Sequence, residues 1–258
     1  MESRSLIFVS LLLIFLILQL VIPSRKPYKG RSLHMASNLS LVAINNSVLF
    51  FIPLIPLSIS KYVMDQQIGL FNIVSLPFWL IIIIQILLLD MIIYFQHRIF
   101  HKVNWLWALH SVHHIDPMLD VTSGLRFHPI EIVISNFIKV IFVFVLGINP
   151  LSVLIFEVSL NGFAMFNHSN LKLPVGIENI VSKVFITPAI HTIHHSKIQK
   201  ETNSNYGSSI IIWDILFKSL IKHGRYSMEN INIGVVGMPE IMKTGFPYYL
   251  SYPFKKNN

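Results

Sequence analysis

Between Leu70 and Phe95 the chain carries one acidic residue and no basic one, and the centre of the run reads WLIIIIQILLL. A segment this long and apolar reaches across a hydrocarbon core of about 30 Å. In a bilayer it has to satisfy its own backbone hydrogen bonds, which restricts it to helix. Leu6 to Ile22 and Leu39 to Ile59 repeat the pattern, the second weakened by Asn45 and Asn46. Ile130 to Leu146 and Leu151 to Phe166 form a further pair joined by GINP, a Gly/Pro turn signal. Composition agrees: 53% of residues are hydrophobic, 12% are charged, and mean hydropathy is +0.62. The expected fold class is all-α, a polytopic membrane helical bundle with a histidine-rich helical cap on the cytoplasmic side.

Residues 1–69 are read as N-terminal anchor spans, 70–225 as the catalytic domain and 226–258 as a C-terminal tail of unknown role. No small-x-small cleavage site follows the first span, so it is read as a retained anchor rather than a signal peptide. Arg25, Lys26, Lys29 and Arg31 follow it, which places that loop in the cytoplasm by the positive-inside rule. Counting spans onward puts the clustered histidines on the same side. The net charge of +8 is scattered between apolar spans, which fits a membrane surface better than nucleic acid. Cysteine is absent, so disulfides and thiolate metal sites are excluded. Lys139 and Glu157 lie at similar distances from the GINP turn. They either pair across the hairpin or reach polar surroundings separately.

Three histidine clusters interrupt the apolar pattern. HRIFH places His97 and His101 four apart; HSVHH holds His110, His113 and His114; HTIHH holds His191, His194 and His195. Residues three and four apart share a helix face, so each cluster can aim its imidazoles at one point. Eight imidazoles suffice for two metal ions with open positions to spare. His168 in FNHSN is a candidate ninth ligand, whereas His34 and His223 read as ordinary surface or core residues. His128 and Asp214 are candidates for supporting the ligands, Asp214 because IIIWDILF buries it; Asp116, Asp120 and Glu131 are further carboxylates that ligand N–H groups could reach. Imidazole suits iron and zinc alike. Neither HExxH nor Glu-x-x-His occurs, so a zinc protease or a bundle-type carboxylate di-iron site is unsupported. Trp105, Trp107 and Phe127 belong to an interfacial aromatic belt or line an opening to the site.

The order HxxxH, HxxHH and a distant HxxHH resembles the fatty acid hydroxylase/sterol desaturase superfamily of membrane non-haem di-iron oxidoreductases. DMIIYFQHRIFH, LWALHSVHH, RFHPIE, FNHSN, TPAIHTIHHS and NYGSSIIIWDILF all have counterparts there, covering about Asp90 to Phe217. The resemblance implies two iron ions, with zinc as a substitute, held by His97, His101, His110, His113, His114, His191, His194 and His195. It implies O2 as co-substrate and a lipid C–H bond as the target of hydroxylation or desaturation. Some relatives carry another histidine where this chain has Ala164. The sequence shows no fused cytochrome b5-like segment, so the expected electron donor is a separate cytochrome b5-like protein, a ferredoxin or a reduced pterin. A non-enzymatic membrane metal protein and an ether-lipid monooxygenase of the same superfamily are the competing readings.

Overall fold

The computed structural model describes residues 2–26, 30–237 and 245–255. Lys29, one of the basic residues used for orientation, and parts of the C-terminal tail lie outside them. The described regular structure is helical: α1 (Glu2–Val21), α2 (Arg31–Phe50), α3 (Pro56–Asp65), α4 (Leu70–Ile73), α5 (Phe78–Phe100), α6 (Asn104–His114), α7 (Pro129–Leu146), α8 (Pro150–His168), α9 (Val175–Val181), α10 (Pro188–His194), α11 (Gln199–Thr202), α12 (Ile212–Leu216) and α13 (Phe246–Ser251). Local chemistry sets several boundaries. α7, α8 and α10 each begin with proline, whose missing N–H costs nothing in a first turn. Each follows a side-chain cap, from His128, Asn149 and Thr187 respectively.

Among the described residues, four segments are long and apolar enough to cross a membrane: Arg4–Val21, Phe78–Phe100, Pro129–Leu146 and Pro150–His168. The expected span Leu39–Ile59 is not among them. α2 stops at Phe50, the chain bends through Pro53, and α3 restarts at Pro56. Its polar residues explain the difference: His34, Asn38 and Asn45 are buried against protein. Asn45 donates to the Phe127 carbonyl. The run from Leu70 is also divided. One turn of helix precedes Pro77, and α5 then continues through His97 into the first cluster.

Side-chain contacts orient the helices. Gln19, near the end of α1, accepts from the N–H groups of Val121 and Asn170, just beyond the end of α8. Gln85, early in α5, bonds the turn between α7 and α8 at Gly147, Asn149 and Ser152. Hence α1, α5 and α8 all end at one pole of the bundle, where the histidines lie. α2 and α3 together lead away from that pole to the turn. Leu89, Ile92 and Ile93 of α5 pack with Val143, Ile148, Val153 and Phe156 of the hairpin as one core. Ile141, Phe142, Phe144 and Val145 on α7 stay exposed, as a lipid-facing surface requires.

Lys139 and Glu157 do face each other across the hairpin, at 3.8 Å. Arg4 is a third partner, 2.5 Å from the other carboxylate oxygen. The α3–α4 connection and the α7–α8 turn are also tied by close backbone contact. Gly69, at φ +96°, approaches so near Gly147 that a Cβ on it would lie 2.3 Å from the Gly147 nitrogen. Gly69→Ala is therefore expected to destabilise the protein by ~1–3 kcal/mol, through both overpacking and backbone strain. Gly176→Ala, where a Cβ meets nothing within 4 Å, should be near neutral. Thermal unfolding of the two variants in one detergent checks the contrast.

Candidate metal centre

Nine histidines meet at the pole. His97, His101, His110, His114 and His194 form one group; His113, His168, His191 and His195 form the other. Within each group the potential donor nitrogens all lie within 4.8 Å of one another. The second and third clusters are shared between the groups rather than each aimed at one point. Helix geometry gives the reason. Residue i+4 lies about 40° around the axis from i, while i+3 lies about 60° the other way. So His110 and His114 stay together while His113 turns to the second group. His191 and His195 stay together while His194 turns to the first.

In the four-histidine group, the Nε2 atom of His168 lies 2.9 Å from that of His113, 3.1 Å from that of His195 and 3.1 Å from that of His191. His191 and His195 are 3.3 Å apart by the same atoms. Nitrogens bound at ~2.1 Å to a common centre lie roughly 3.0–3.4 Å from each other, so this spacing suits one cation. In the five-histidine group, the Nε2 atoms of His97, His110, His114 and His194 are buried with no hydrogen-bond partner. Each such orphan costs about 1–3 kcal/mol. A cation accepting all their lone pairs would remove that cost, so the residues present fit a metal pair.

The outer nitrogens show how the rings are turned. Nδ1 of His97 donates to the Tyr206 carbonyl at 2.8 Å, that of His168 to Ala164 at 2.8 Å, that of His194 to Ser204 at 2.6 Å and that of His113 to Arg126 at 3.2 Å. His110 donates to Glu131 at 2.7 Å. A proton held on Nδ1 leaves Nε2 free to ligate. Burial, reinforced by neighbouring imidazoles, holds His101, His113, His114, His191 and His195 well below the usual histidine range, and pushes His194 down to about 3. These rings are neutral at pH 7, the form a metal needs.

The expected supporting residues are redistributed. His128 joins neither group; it caps α7 by accepting from Ile130 N–H, and its other nitrogen meets the Leu250 carbonyl. Its backbone position at the start of a helix dictates that task. Glu131, one turn on, takes the role in direct contact with a clustered histidine. Asp214 stands one step removed. It accepts from the N–H groups of Tyr206 and Gly207 and from Ser219 Oγ, holding the loop whose Tyr206 carbonyl receives His97. Asn205 precedes that loop at φ +51° and binds Ile190 and Ile221 through its side chain. Asn tolerates this left-handed conformation better than most residues. Tyr94 and Asp90 dock the same segment onto α5 through Ser219 and Trp213.

A second buried network lies behind α6. The Arg126 guanidinium caps the Val112 and His113 carbonyls and pairs with Asp116 at 2.9 Å. His34 bridges Asp116 at 2.8 Å and Asp120 at 3.2 Å. Tyr249 of α13 lies under the Arg126 guanidinium, so the C-terminal tail braces the network. Sequence reasoning gave Arg126 no role of its own; it entered only as the first residue of RFHPIE, with no ligand spacing to notice. Phe127 stacks on His113 with centroids 4.5 Å apart, and Trp107 packs on His101 and His114, whereas Trp105 is exposed.

A cavity of about 730 Å³ opens from the histidines between α1, α2, α7 and α8. His97, His110, His113, His168 and His191 form part of its wall, and Arg4, Lys139 and Glu157 another part. That volume falls within the range of small-molecule pockets.

A family model for fatty acid hydroxylases matches residues 82–219, just over half of the chain. The chain belongs to the fatty acid hydroxylase family, within the fatty acid hydroxylase/sterol desaturase superfamily. The matched region runs from α5 to Ser219, so this family domain contains all nine clustered histidines. The chain is 31% identical to the ornithine lipid hydroxylase OlsE of Rhizobium tropici over 165 residues, 64% of this chain and 47% of that protein. It is 30% identical to an alkylglycerol monooxygenase of Danio rerio over 167 residues, 62% of this chain and 34% of that protein. It is 28% identical to a cholesterol 25-hydroxylase of Rattus norvegicus over 141 residues, 54% of this chain and 46% of that protein. The chain thus spans less than half the length of these relatives. No solved structure matches it significantly.

Two outcomes follow for this fatty acid hydroxylase domain. A Cβ at Gly124 would lie 2.2 Å from the Ala164 oxygen, the carbonyl that receives His168. Gly124→Ala should displace α8 and lower metal retention by about half after dialysis against a weak chelator, with the five-histidine group less affected. Metal analysis before and after dialysis reads this. Burial lowers the His34 pKa, but Asp116 and Asp120 outweigh it and raise it to about 9. Its charged form therefore stabilises the fold fully below about pH 6.5, and that contribution is lost as pH rises through about 9. The thermal midpoint should fall over that window in the native protein, and fall less in His34→Gln.

Proposed function

We propose that this chain is a membrane-embedded, O2-dependent lipid hydroxylase or desaturase that works with two iron ions, zinc being a substitute. The observation that carries this reading is the pair of buried imidazole groups opening into a cavity between apolar helices. His97, His101, His110, His114 and His194 would hold one ion, and His113, His168, His191 and His195 the other. Bound there, the metal pair would supply O2 activation beside a lipid C–H bond. In hydroxylation, one oxygen atom enters the C–H bond and the other leaves as water, with two electrons and two protons from a separate donor. The protein's own residues position and protect. Nδ1 bonds fix the rings of His97, His110, His113, His168 and His194, α5, α7 and α8 keep water away, and the cavity holds the chain against the histidines.

The proposed membrane arrangement is multi-pass, with the histidine pole toward the cytoplasm. Arg25, Lys26 and Arg31 sit at that pole, as the positive-inside rule favours. The donor is a cytochrome b5-like protein, a ferredoxin or a reduced pterin. Similarity to alkylglycerol monooxygenases favours including an ether lipid among trial substrates.

Metal analysis of the protein purified in mild detergent is the test. Two irons per chain are expected in the native protein and no more than about one in His113→Ala, with lipid oxidation lost in that variant. A folded preparation that takes up neither iron nor zinc on reconstitution would overturn the reading. Iron binding without lipid oxidation under O2, whichever donor is supplied, would leave a metal-binding protein instead.

A further inference from the structure

The cavity that begins at the histidines reaches a cluster of charge. Arg4 of α1, Lys139 of α7 and Glu157 of α8 all line it. Glu157 holds Arg4 at 2.5 Å through one oxygen and stands 3.8 Å from the Lys139 ammonium through the other. Two cations therefore share one carboxylate. Side-chain exposure is 17% at Lys139 and 12% at Glu157, against 34% at Arg4, so water does little to compensate at Lys139. The surrounding wall includes Ile7, Phe8, Leu49 and Leu160. One excess positive charge in such a recess is costly, and an anion brought against it is held strongly.

The spacing to the histidines adds a length scale. Glu157 and His168 lie on one helix, eleven residues apart, which is roughly 16 Å of rise. An extended hydrocarbon chain covers that distance in about a dozen C–C bonds of ~1.5 Å each, allowing for their zigzag. A lipid placed the other way round, with its head at the histidines, would leave hydrocarbon facing Arg4 and Lys139.

Taking the lipid-oxidising reading above as its basis, we propose that the cavity binds a long-chain lipid by its anionic group. A carboxylate or phosphate sits at Lys139 and Arg4, and the hydrocarbon chain runs toward the histidine groups. Lys139 is then a specificity residue, and the distance from the charged cluster to the histidines measures out which carbon is presented.

The test is equilibrium binding to the full chain in neutral detergent, using radiolabelled palmitate, palmitoyl-lysophosphatidate and hexadecanol. At least one of the two anions should bind about tenfold or more tightly than the alcohol. The stronger anion tells a fatty acid from a phospholipid headgroup. Lys139→Met should erase most of that preference, and Lys139→Arg should keep it. Glu157→Gln, which leaves both cations, should widen it and serves as the second arm if Lys139→Met does not fold. Equal binding of anions and alcohol by the native protein would overturn the proposal, as would a preference unchanged in both Lys139→Met and Glu157→Gln. Native protein stripped of metal by a chelator should keep the same anion preference. Binding thus fails or succeeds independently of iron content and turnover, on which the oxidase reading stands.

Discussion

Nine imidazole nitrogens facing one another in a buried space is the constraint around which this molecule is arranged. Such a cluster is unfavourable as protonated rings because the charges repel, and unfavourable as neutral rings because the lone pairs lack donors. Burial settles the first problem by keeping the rings neutral. At five of the nine rings, Nδ1 bonds to Tyr206, Glu131, Arg126, Ala164 and Ser204 settle which nitrogen faces inward. The second problem persists in the protein alone, which is why the arrangement makes physical sense with cations in place.

The supporting structure can be read outward from that point. α5, α6, α8 and α10 bring the rings, and each is fixed by something unrelated to ligation. Gln85 pins the start of α5 to the hairpin turn, and Arg126 ties down the last carbonyls of α6. Gly124 allows the chain to press against α8 at Ala164. Thr187 caps α10. The Asn205–Ser219 segment is clamped by Asp214 and fastened to α5 through Asp90 and Tyr94. Rigidity at the pole thus comes from backbone and carboxylate contacts, and the apolar helices contribute depth and a lipid-facing surface.

The sequence was legible where spacing alone carries information. The i, i+3 and i, i+4 histidines declared a clustered site, the apolar runs declared long helices, and the similar distances of Lys139 and Glu157 from GINP made their pairing one of two readings. It was less legible where a contact joins distant segments. Nothing near His110 singles out Glu131 over Asp116 or Asp120, because the choice depends on how α7 docks beside α6. His34 lies more than eighty residues from its carboxylate partners, so it read as an ordinary residue although it sits in a charged network. The expected span over Leu39–Ile59 averaged across Pro53 and Pro56, whose breaking effect outweighs the hydropathy of their neighbours. His128 carried a suggestive identity, but its place just before Pro129 makes it a cap.

Sharing α6 and α10 between both histidine groups has a consequence for how the pole comes together. Neither helix can be aligned for one group without being aligned for the other, since the same rotation about its axis sets His113 and the His110–His114 pair, or His194 and the His191–His195 pair. The two halves behave as meshed gears rather than as adjacent pockets. A small roll of either helix degrades both at once. A disturbance that turns α6 or α10 should therefore loosen the two groups together, whereas one confined to α8 or to a single ring leaves the other group in place.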